Sequence, residues 1–428
     1  MNVLKWKKLP DRWLGISLCL FFIQIGVVQA QDTLRISLNQ ADSIFLNQNL
    51  RLLAEKYAIE ASKAQLAQTK LWDNPQLSTE WSLYNNLNRK VLDVGSAGQK
   101  TFSIQQLVVL AGKRNKRVAM SRENTRMSEF AFYDLLRTLK FELRRSFYHI
   151  AFSTQTIERF TNQLAVLDNT ISALETQYNK NNISLKDVVR LKAAYYQLNN
   201  DKTQLLASIA NEHLQLQLLL QTSRPVVPIL DESMMQQYDF QKTQSQNLID
   251  LAITNRSDLH IVESQVKQAE MHYRLQKSLA IPDLSIGASY DQAGSYIPHY
   301  LALTVGLDLP VFNRNQGNIK MAKSEASMMQ LQQQNKQLEV RNEVAASLNK
   351  LRQIEDEYKK VDTNFRTQFE QLNTGVLTSF RKQNVSLLEF VDLFEAYNQS
   401  IEQLNRLRIA RIESFEELNY VVGVELFR

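Results

Sequence analysis

Five histidines are the side chains of this 428-residue sequence best suited to catalysis or metal binding, but their spacing indicates neither. Two ligands on one helix face need spacings such as His-Glu-x-x-His or Glu-x-x-His, which the sequence lacks. No nucleophile stands in a recognisable pattern with a base. The sequence therefore argues against an enzyme, a cofactor and a metal site. The histidines are His149, His213, His260, His272 and His299.

The first thirty residues have the pattern of a secretory signal peptide. Basic residues up to Arg12 precede an apolar run from Trp13 to Val28, and cleavage is expected after Ala30. The only cysteine, Cys19, lies inside this run, so the mature chain would have no thiol. Removal of the signal leaves a formal charge of +3 out of +6. An exported and nearly neutral chain gives a nucleic-acid partner little support.

A tandem repeat with a period of about two hundred residues organises the rest of the chain. Residues 182–195 match residues 384–397 in their apolar, acidic and aromatic positions. The Pro-x-Leu-Ser segments that start at Pro75 and Pro282 form a second pair. We predict a first repeat over 31–221, a linker over 222–246 and a second repeat over 247–428.

Each repeat is predicted to contain a helix, a pair of strands and two very long helices. The long helices are expected over about 115–180 and 184–221, and again over about 317–381 and 385–421, because these tracts lack proline. A helix of about 65 residues spans roughly 100 Å. Such lengths indicate helices packed side by side into a tube.

The strand pairs, over about 76–110 and 283–310, alternate apolar and polar residues. Leu77, Thr79 and Trp81 share one face, and Leu301 and Leu303 repeat the pattern. Strands of about ten residues with this alternation are typical of outer-membrane proteins, and no run of eighteen apolar residues follows the signal. Four strands cannot close a barrel. Two copies would give eight strands without a useful lumen, and three would give twelve strands and a pore.

Taken together, the order and doubling of these segments resemble the TolC family of outer-membrane efflux proteins. The resemblance covers essentially the whole mature chain and includes the helical segment from Leu38 to Ile44, the Asn255 to Leu259 start of the second half, and the Pro-x-Leu-Ser entries to the strands. It implies a mainly α-helical homotrimer with a twelve-stranded barrel, a helical periplasmic tunnel, and an equatorial zone formed by residues 222–246 and the C-terminus.

The resemblance also implies a place in the cell and a set of partners. The protein would lie in the outer membrane of a Gram-negative bacterium, with a long periplasmic extension, and would contact outer-membrane lipid. It would work as a passive duct together with a periplasmic adaptor, or membrane fusion protein, and an inner-membrane pump. Drug, metal-ion and protein substrates all remain open, because such a duct takes its specificity from the pump and the adaptor.

In the resembling family, the turn between each pair of long helices is the periplasmic tip, where the adaptor docks and the channel is gated. The acidic constriction maps onto Glu389 and Asp392, with Asp187 as the first-repeat counterpart of Glu389; ordinary solvated helix charges are the alternative. The family often has Val-Gly-Leu at the tip, and asparagine can replace glycine there where φ is positive. The expected adaptor contacts are Asn181, Asn182, Ile183, Ser184 and Leu185 in the first tip, and Asn384, Val385, Ser386 and Leu387 in the second.

Two functions of other classes remain open. An exported coiled-coil scaffold without channel activity would explain the long helices, but it would not need four alternating strands. A periplasmic hydrolase would need a nucleophile with its base, which the sequence does not offer.

Overall fold

The computed structural model describes residues 33–86, 88–96, 98–231, 235–243, 247–293, 297–361, 375–376, 378–380, 382 and 384–427. The predicted signal peptide lies outside the described residues. The helices are α1 (Leu38–Gln48), α2 (Leu50–Thr69), α3 (Lys113–Asn179), α4 (Leu185–Leu220), α5 (Leu248–Asn255), α6 (Ser257–Leu279), α7 (Gln316–Lys360) and α8 (Leu387–Val422). The strands are β1 (Leu34–Ile36), β2 (Gln76–Trp81), β3 (Tyr84–Asn85), β4 (Lys90–Val91), β5 (Lys100–Val108), β6 (Val226–Pro228), β7 (Leu284–Asp291) and β8 (Tyr300–Leu307).

This order confirms the predicted fold class of two tandem repeats with long helices and four main strands. A small ribbon of β3 and β4 between β2 and β5 was not predicted; its two strands pair Tyr84 with Val91 and Asn85 with Lys90. The longest helix, α3, has 67 residues and therefore extends for roughly 100 Å. Among the described residues, no helix is both long enough and apolar enough to cross a lipid bilayer.

The first helix of each repeat is interrupted at one residue, and the interruption is itself repeated. Asn49 separates α1 from α2 with ψ 114°, and Arg256 separates α5 from α6 with ψ 118°. The Asn49 side chain accepts hydrogen bonds from the N–H groups of Arg51 and Leu52, and it donates to the Leu219 carbonyl at 3.0 Å. This cap restarts the helix at an angle and fixes it against the end of α4.

The four main strands form one antiparallel sheet in the order β2-β5-β7-β8. One row across the sheet contains Leu77, Ile104, Ala288 and Leu303, and the next row contains Ser78, Ser103, Ser289 and Ala302. Side chains paired across strands point to the same face. The register therefore collects most of the apolar residues of the four strands on one face of the sheet; Leu107, opposite Ser285, lies on the other face.

The apolar face of the sheet is exposed in the single chain. Leu77 is 70% exposed, Leu301 is 75% exposed and Leu303 is 76% exposed. Gln106 is a polar exception on this face, and its side-chain amide donates to the Asp73 carbonyl at 2.9 Å. Burial of this face would contribute more hydrophobic free energy than any other exposed part of the sheet.

The predicted helix over 317–381 is confirmed as far as Lys360, where α7 ends, but it is not continuous. Residues 375–376 and 378–380 are helical again, and residues 362–374 lie outside the described part of the chain. Val361, with φ −70° and ψ 114°, has left the helical conformation. Val361 begins the sequence Val-Asp-Thr-Asn, and all four residue types rank low in helix propensity. The corresponding helix of the first repeat, α3, runs through without a break.

The segment predicted as an equatorial linker packs against the beginning and the end of the chain. Its strand β6 pairs in parallel with β1, with Leu34 opposite Val226. Tyr238, farther along the linker, is buried and contacts the rings of Phe415 and Phe427. These contacts belong to the larger of the two apolar cores, which joins both repeats at the equator.

A buried arginine on α3 lies in this equatorial core and contacts three other parts of the chain. The Arg144 guanidinium lies 3.2 Å from Glu416 on α8, 3.2 Å from Asp42 on α1 and 3.5 Å from Glu425 in the C-terminal tail. Burial alone would lower the pKa of Arg144, but the three carboxylates raise it. Arg144 therefore stays charged and connects the two repeats.

Two tyrosines complete this buried network. The Tyr238 hydroxyl donates to Glu416, and it also contacts the Tyr148 hydroxyl at 3.1 Å. Burial raises the pKa of Tyr148 to about 12. Burial, together with the nearby Glu416 carboxylate, also raises the pKa of Tyr238. Both hydroxyls therefore remain protonated at neutral pH and can donate hydrogen bonds inside the core.

We predict that Arg144→Ala destabilises the fold by about 3–5 kcal/mol, because it leaves the buried Glu416 carboxylate without its cation. The matched control is Arg145→Ala, since the Arg145 side chain is 40% exposed and lies 3.7 Å from Glu212. We expect Arg145→Ala to lower the free energy of unfolding by less than about 1 kcal/mol. Thermal unfolding followed by circular dichroism makes the comparison, and equal losses in the two variants would contradict this role for Arg144.

Candidate functional site: the helical tips

The two tips share a backbone hydrogen bond at corresponding positions. In the first tip the Asn182 N–H donates to the Gln177 carbonyl at 2.9 Å, and in the second the Asn384 N–H donates to the Ser379 carbonyl at 2.9 Å. This bond spans five residues in both tips, as in the motif that commonly ends helices. Asn181 has φ 59°, so asparagine does stand where φ is positive.

A serine caps the helix that follows each tip. The N–H of Asp187 donates to the Ser184 hydroxyl oxygen at 3.3 Å, and the N–H of Glu389 donates to the Ser386 hydroxyl oxygen at 3.3 Å. Both carboxylates bind back to their serine. The Ser184 hydroxyl donates to Asp187 at 2.7 Å, and the hydroxyl and N–H of Ser386 donate to Glu389 at 2.8 and 2.9 Å.

Two of the three predicted gate residues, Asp187 and Glu389, help to cap the helices that follow the tips. Hydrogen bonds from the Ser386 backbone and side chain lower the pKa of Glu389, so this carboxylate is ionised at neutral pH. Asp392 lies one turn farther along α8 and is exposed. Asp187 is half-buried at the start of α4. The acidic constriction itself remains a prediction, because it needs the axis shared by several copies.

The fold brings the two tips of one chain together around a groove of about 550 Å³. Ile183 and Asp187 come from the first tip, and Val385 and Leu387 come from the second. The other predicted tip residues do not line this groove within the described part of the chain. Sequence reasoning missed the groove's remaining lining: Asn169, Thr170, Ala173, Leu174 and Gln177 on α3, and Phe380. The apolar periodicity of α3 is the only signal that pointed to this face.

An apolar core beneath the groove holds the two tips in place. The rings of Phe380 and Phe390 stack with centroids 4.8 Å apart, and Phe394 continues the aromatic contact along α8. Leu191 of α4 and Leu167 of α3 are fully buried in the same core. The groove is therefore a formed surface on which apolar side chains lie beside the polar side chains of Asn169, Thr170 and Gln177 and one acidic side chain, Asp187.

We predict that Ser386→Ala loosens the first turn of α8 by about 1 kcal/mol, which corresponds to roughly fivefold faster amide hydrogen exchange at residues 387–390. The variant Ser386→Thr keeps a hydroxyl cap and should exchange at nearly the wild-type rate. Ser400→Ala is the matched control, because the hydroxyl of this half-buried serine donates only to the Ala396 carbonyl in the middle of α8. Unchanged protection in Ser386→Ala would show that the cap does not hold the tip.

Comparison with known proteins supports the fold, and a family model matches part of the chain. Residues 248–374 match the family model described as outer membrane efflux protein. Curated proteins give no significant match to the chain. The match to the family model covers α5, α6, β7, β8 and α7 of the second repeat, which is part of the chain over which the sequence resemblance extends.

Solved structures match over nearly the whole chain. A membrane protein from Pseudomonas aeruginosa has a TM-score of 0.74 at 14% identity, with 90% of this chain and 92% of that chain covered. The CmeC outer membrane channel of Campylobacter jejuni has a TM-score of 0.73 at 11% identity, with 91% of this chain and 86% of that chain covered. The outer membrane protein VceC of Vibrio cholerae has a TM-score of 0.70 at 14% identity, with 91% of this chain and 96% of that chain covered. The chain thus has the fold of these membrane proteins, and its resemblance to the TolC family of outer membrane efflux proteins is confirmed.

Proposed function

We propose that this chain is the outer-membrane duct of a tripartite efflux or export system, and that it carries substrate passively from a periplasmic adaptor and an inner-membrane pump to the outside. The proposal places the sheet in the outer membrane of a Gram-negative bacterium and the long helices in the periplasm. The match of residues 248–374 to outer membrane efflux proteins, which are channels rather than enzymes, supports a duct without catalytic activity.

The observation that carries this proposal is the exposed apolar face of the four-stranded sheet. In water, a face that exposes Leu77, Leu301 and Leu303 by 70% or more would be an aggregation hazard. In a bilayer the same face contacts lipid, and the opposite face, with Ser78, Ser103 and Ser289, can line a polar lumen. A coiled-coil scaffold would have no use for such a sheet.

The edges of the sheet support a homotrimer. Strands β2 and β8 are the two ends of the sheet, and the antiparallel order makes them run in opposite directions. The free β8 edge of one copy can therefore pair in antiparallel fashion with the free β2 edge of the next. Unpaired backbone groups are costly in lipid, so the ring has to close. Three copies give twelve strands and a lumen wider than an eight-stranded barrel allows.

The proposed function is tested by fractionation and conductance. The protein should be extracted from outer membranes only with detergent, and the purified assembly should open channels in planar bilayers of neutral lipid. Arg144→Ala serves as a control for contaminating porins. This variant should destabilise the equatorial core and so reduce the number of channels, whereas channels formed by a contaminating porin would be unaffected. A protein that stays soluble as a monomer and never conducts would contradict the duct and favour the scaffold.

We predict that the two acids after the second tip set the ion selectivity. In a trimer, Glu389 and Asp392 would place six carboxylates around one axis, a field that favours cations and binds divalent ions. Glu389→Gln combined with Asp392→Asn should remove most cation selectivity and most divalent block, measured as reversal potential and blocked current. Because the glutamine introduced in place of Glu389 can still accept a hydrogen bond from the Ser386 N–H, the helix cap and the fold should be retained.

The matched control for this selectivity test removes two acids elsewhere, Glu60→Gln with Glu357→Gln, which are exposed on α2 and α7. That control should keep wild-type selectivity and block. If the Glu389 and Asp392 double variant also keeps them, these acids are ordinary surface charges, and the constriction would have to be sought at Asp187 or deeper in the tube.

We predict next that the groove between the two tips is where the adaptor docks. A charge introduced into an apolar contact has to be desolvated, so Ile183→Glu with Val385→Glu should weaken adaptor co-purification by about tenfold or more. Val189→Glu with Leu388→Glu is the matched control, because these side chains are exposed on α4 and α8, the helices that follow the tips, and do not line the groove. Equal retention of the adaptor by both pairs would place the contact elsewhere.

A further inference from the structure

The junction between the sheet and the long helices combines exposed apolar side chains with an excess of positive charge. We define the junction collar as residues 70–75, 109–117, 274–283 and 308–323, the segments that leave and enter the sheet at one end. We propose that the junction collar binds the phosphate headgroups of anionic phospholipids in the periplasmic leaflet of the membrane. This inference rests on the proposed function, which puts the sheet in that membrane.

The charge of the junction collar differs from that of the rest of the chain. The collar contains ten lysines and arginines and three aspartates, a net charge of +7, whereas the whole sequence has +6. The remainder of the chain is therefore close to neutral. The basic residues are Lys70, Lys113, Arg114, Lys116, Arg117, Arg274, Lys277, Arg314, Lys320 and Lys323.

Contacts within the chain hold the four segments of the junction collar together. The buried Lys113 ammonium lies 2.7 Å from Asp283 and 2.6 Å from the Ile281 carbonyl. The Arg114 guanidinium lies over the Trp72 ring, 4.4 Å from its centroid, and donates to the Lys70 carbonyl. The Asn315 amide donates to the Gln276 carbonyl at 2.8 Å. The collar is thus one formed surface.

Some cations of the junction collar serve the fold, and others do not. Lys113 pairs with Asp283, and Arg114 stacks on Trp72. Lys70, Arg117 and Arg314, in contrast, form no ion pair within the described part of the chain, although Arg117 contributes to lowering the pKa of Asp283, which burial would raise. These three cations are free to meet an external anion.

The first turns of the long helices also differ in charge between the tips and the junction collar. The helices α4 and α8, which begin at the tips, carry Asp187 and Glu389 in their first turns. The helices α3 and α7, which begin at the junction collar, carry no acidic residue there. Basic residues close to the positive end of a helix are unfavourable for the isolated fold. An anion from outside the chain would offset this cost.

Apolar exposure at the junction collar identifies the anion as part of a lipid. Phe312 is 94% exposed, Leu309 is 73% exposed and Trp72 is 67% exposed. Aromatic and basic side chains at this level are typical of a membrane interface, where the ring meets the acyl boundary and the cation meets the phosphate. A free phosphate ion would use the charges but would leave the apolar side chains in water.

The test measures lipid binding to the full-length assembly by native mass spectrometry in a neutral detergent. We expect phosphatidylglycerol to bind about tenfold more tightly than phosphatidylcholine. The variant Lys70→Gln with Arg117→Gln and Arg314→Gln should lose that preference. The matched control, Arg51→Gln with Arg341→Gln and Arg352→Gln, removes the same charge from exposed helix positions outside the collar and should keep the preference. Circular dichroism checks that all variants remain helical.

Three results would overturn the inference. These are equal binding of the two lipids by the wild type, an unchanged preference in the collar variant, and loss of bound phosphatidylglycerol to an equal concentration of glycerol phosphate, which would indicate a phosphate site instead of a lipid surface. Conductance in neutral bilayers measures the duct separately. An assembly that conducts but has no lipid preference contradicts this inference alone, whereas one that never conducts contradicts the proposed function.

Discussion

At each end of the four-stranded sheet, one strand has a free side, and the apolar face of the sheet is exposed; the rest of the structure depends on how these surfaces are satisfied. β2 and β8 each present a row of backbone groups without partners in the single chain. In the proposed trimer, pairing between copies would satisfy both edges at once, and lipid would satisfy the apolar face. A closed ring of strands would then constrain the arrangement of the long helices, because α3 and α7 are the elements that follow β5 and β8. On this account the tube follows from the sheet.

The equatorial core holds the two repeats in register so that their strands and tips coincide. Arg144 on α3 contacts carboxylates from α1, α8 and the C-terminal tail, and Tyr238 brings the linker to the same Glu416. A buried ionic network contributes little net stability compared with apolar packing, but the loss of one member is costly. We expect its contribution here to be to the specificity of the arrangement, since a shifted alignment of the helices would leave buried charges without partners.

Much of the fold could be predicted from the sequence because the repeat presents each signal twice. Alternation in β7 and β8 supported the weaker alternation in β2 and β5, and the pairing register then placed Leu77 and Leu303 in one row. The helix end at Lys360 was not predicted, since the expectation rested on the absence of proline from the tract rather than on the local helix propensity of Val361 and its neighbours. Pattern arguments are weakest where only one of two repeats departs from the rule.

The site was only partly predictable, for a physical reason. Apolar and acidic residues of the tips could be found by similarity between the repeats, yet the groove forms only when Ile183 and Val385 approach each other in space. No spacing within one repeat encodes that approach. The capping role of Asp187 and Glu389 could have been predicted from Ser-x-x-Asp and Ser-x-x-Glu, a pattern typical of helix starts. That local role and a role in the gate are compatible, since a carboxylate accepts several hydrogen bonds.

The most direct measurement of the central claim is the symmetry of the purified full-length assembly in lipid nanodiscs, determined by cryo-electron microscopy. The account predicts a threefold particle in which β8 of each copy pairs with β2 of the next to close twelve strands around a lumen, with the helical tips at the far end of the tube. A particle in which these strand edges remain unpaired, or in which the sheets face water outside the membrane disc, would contradict it.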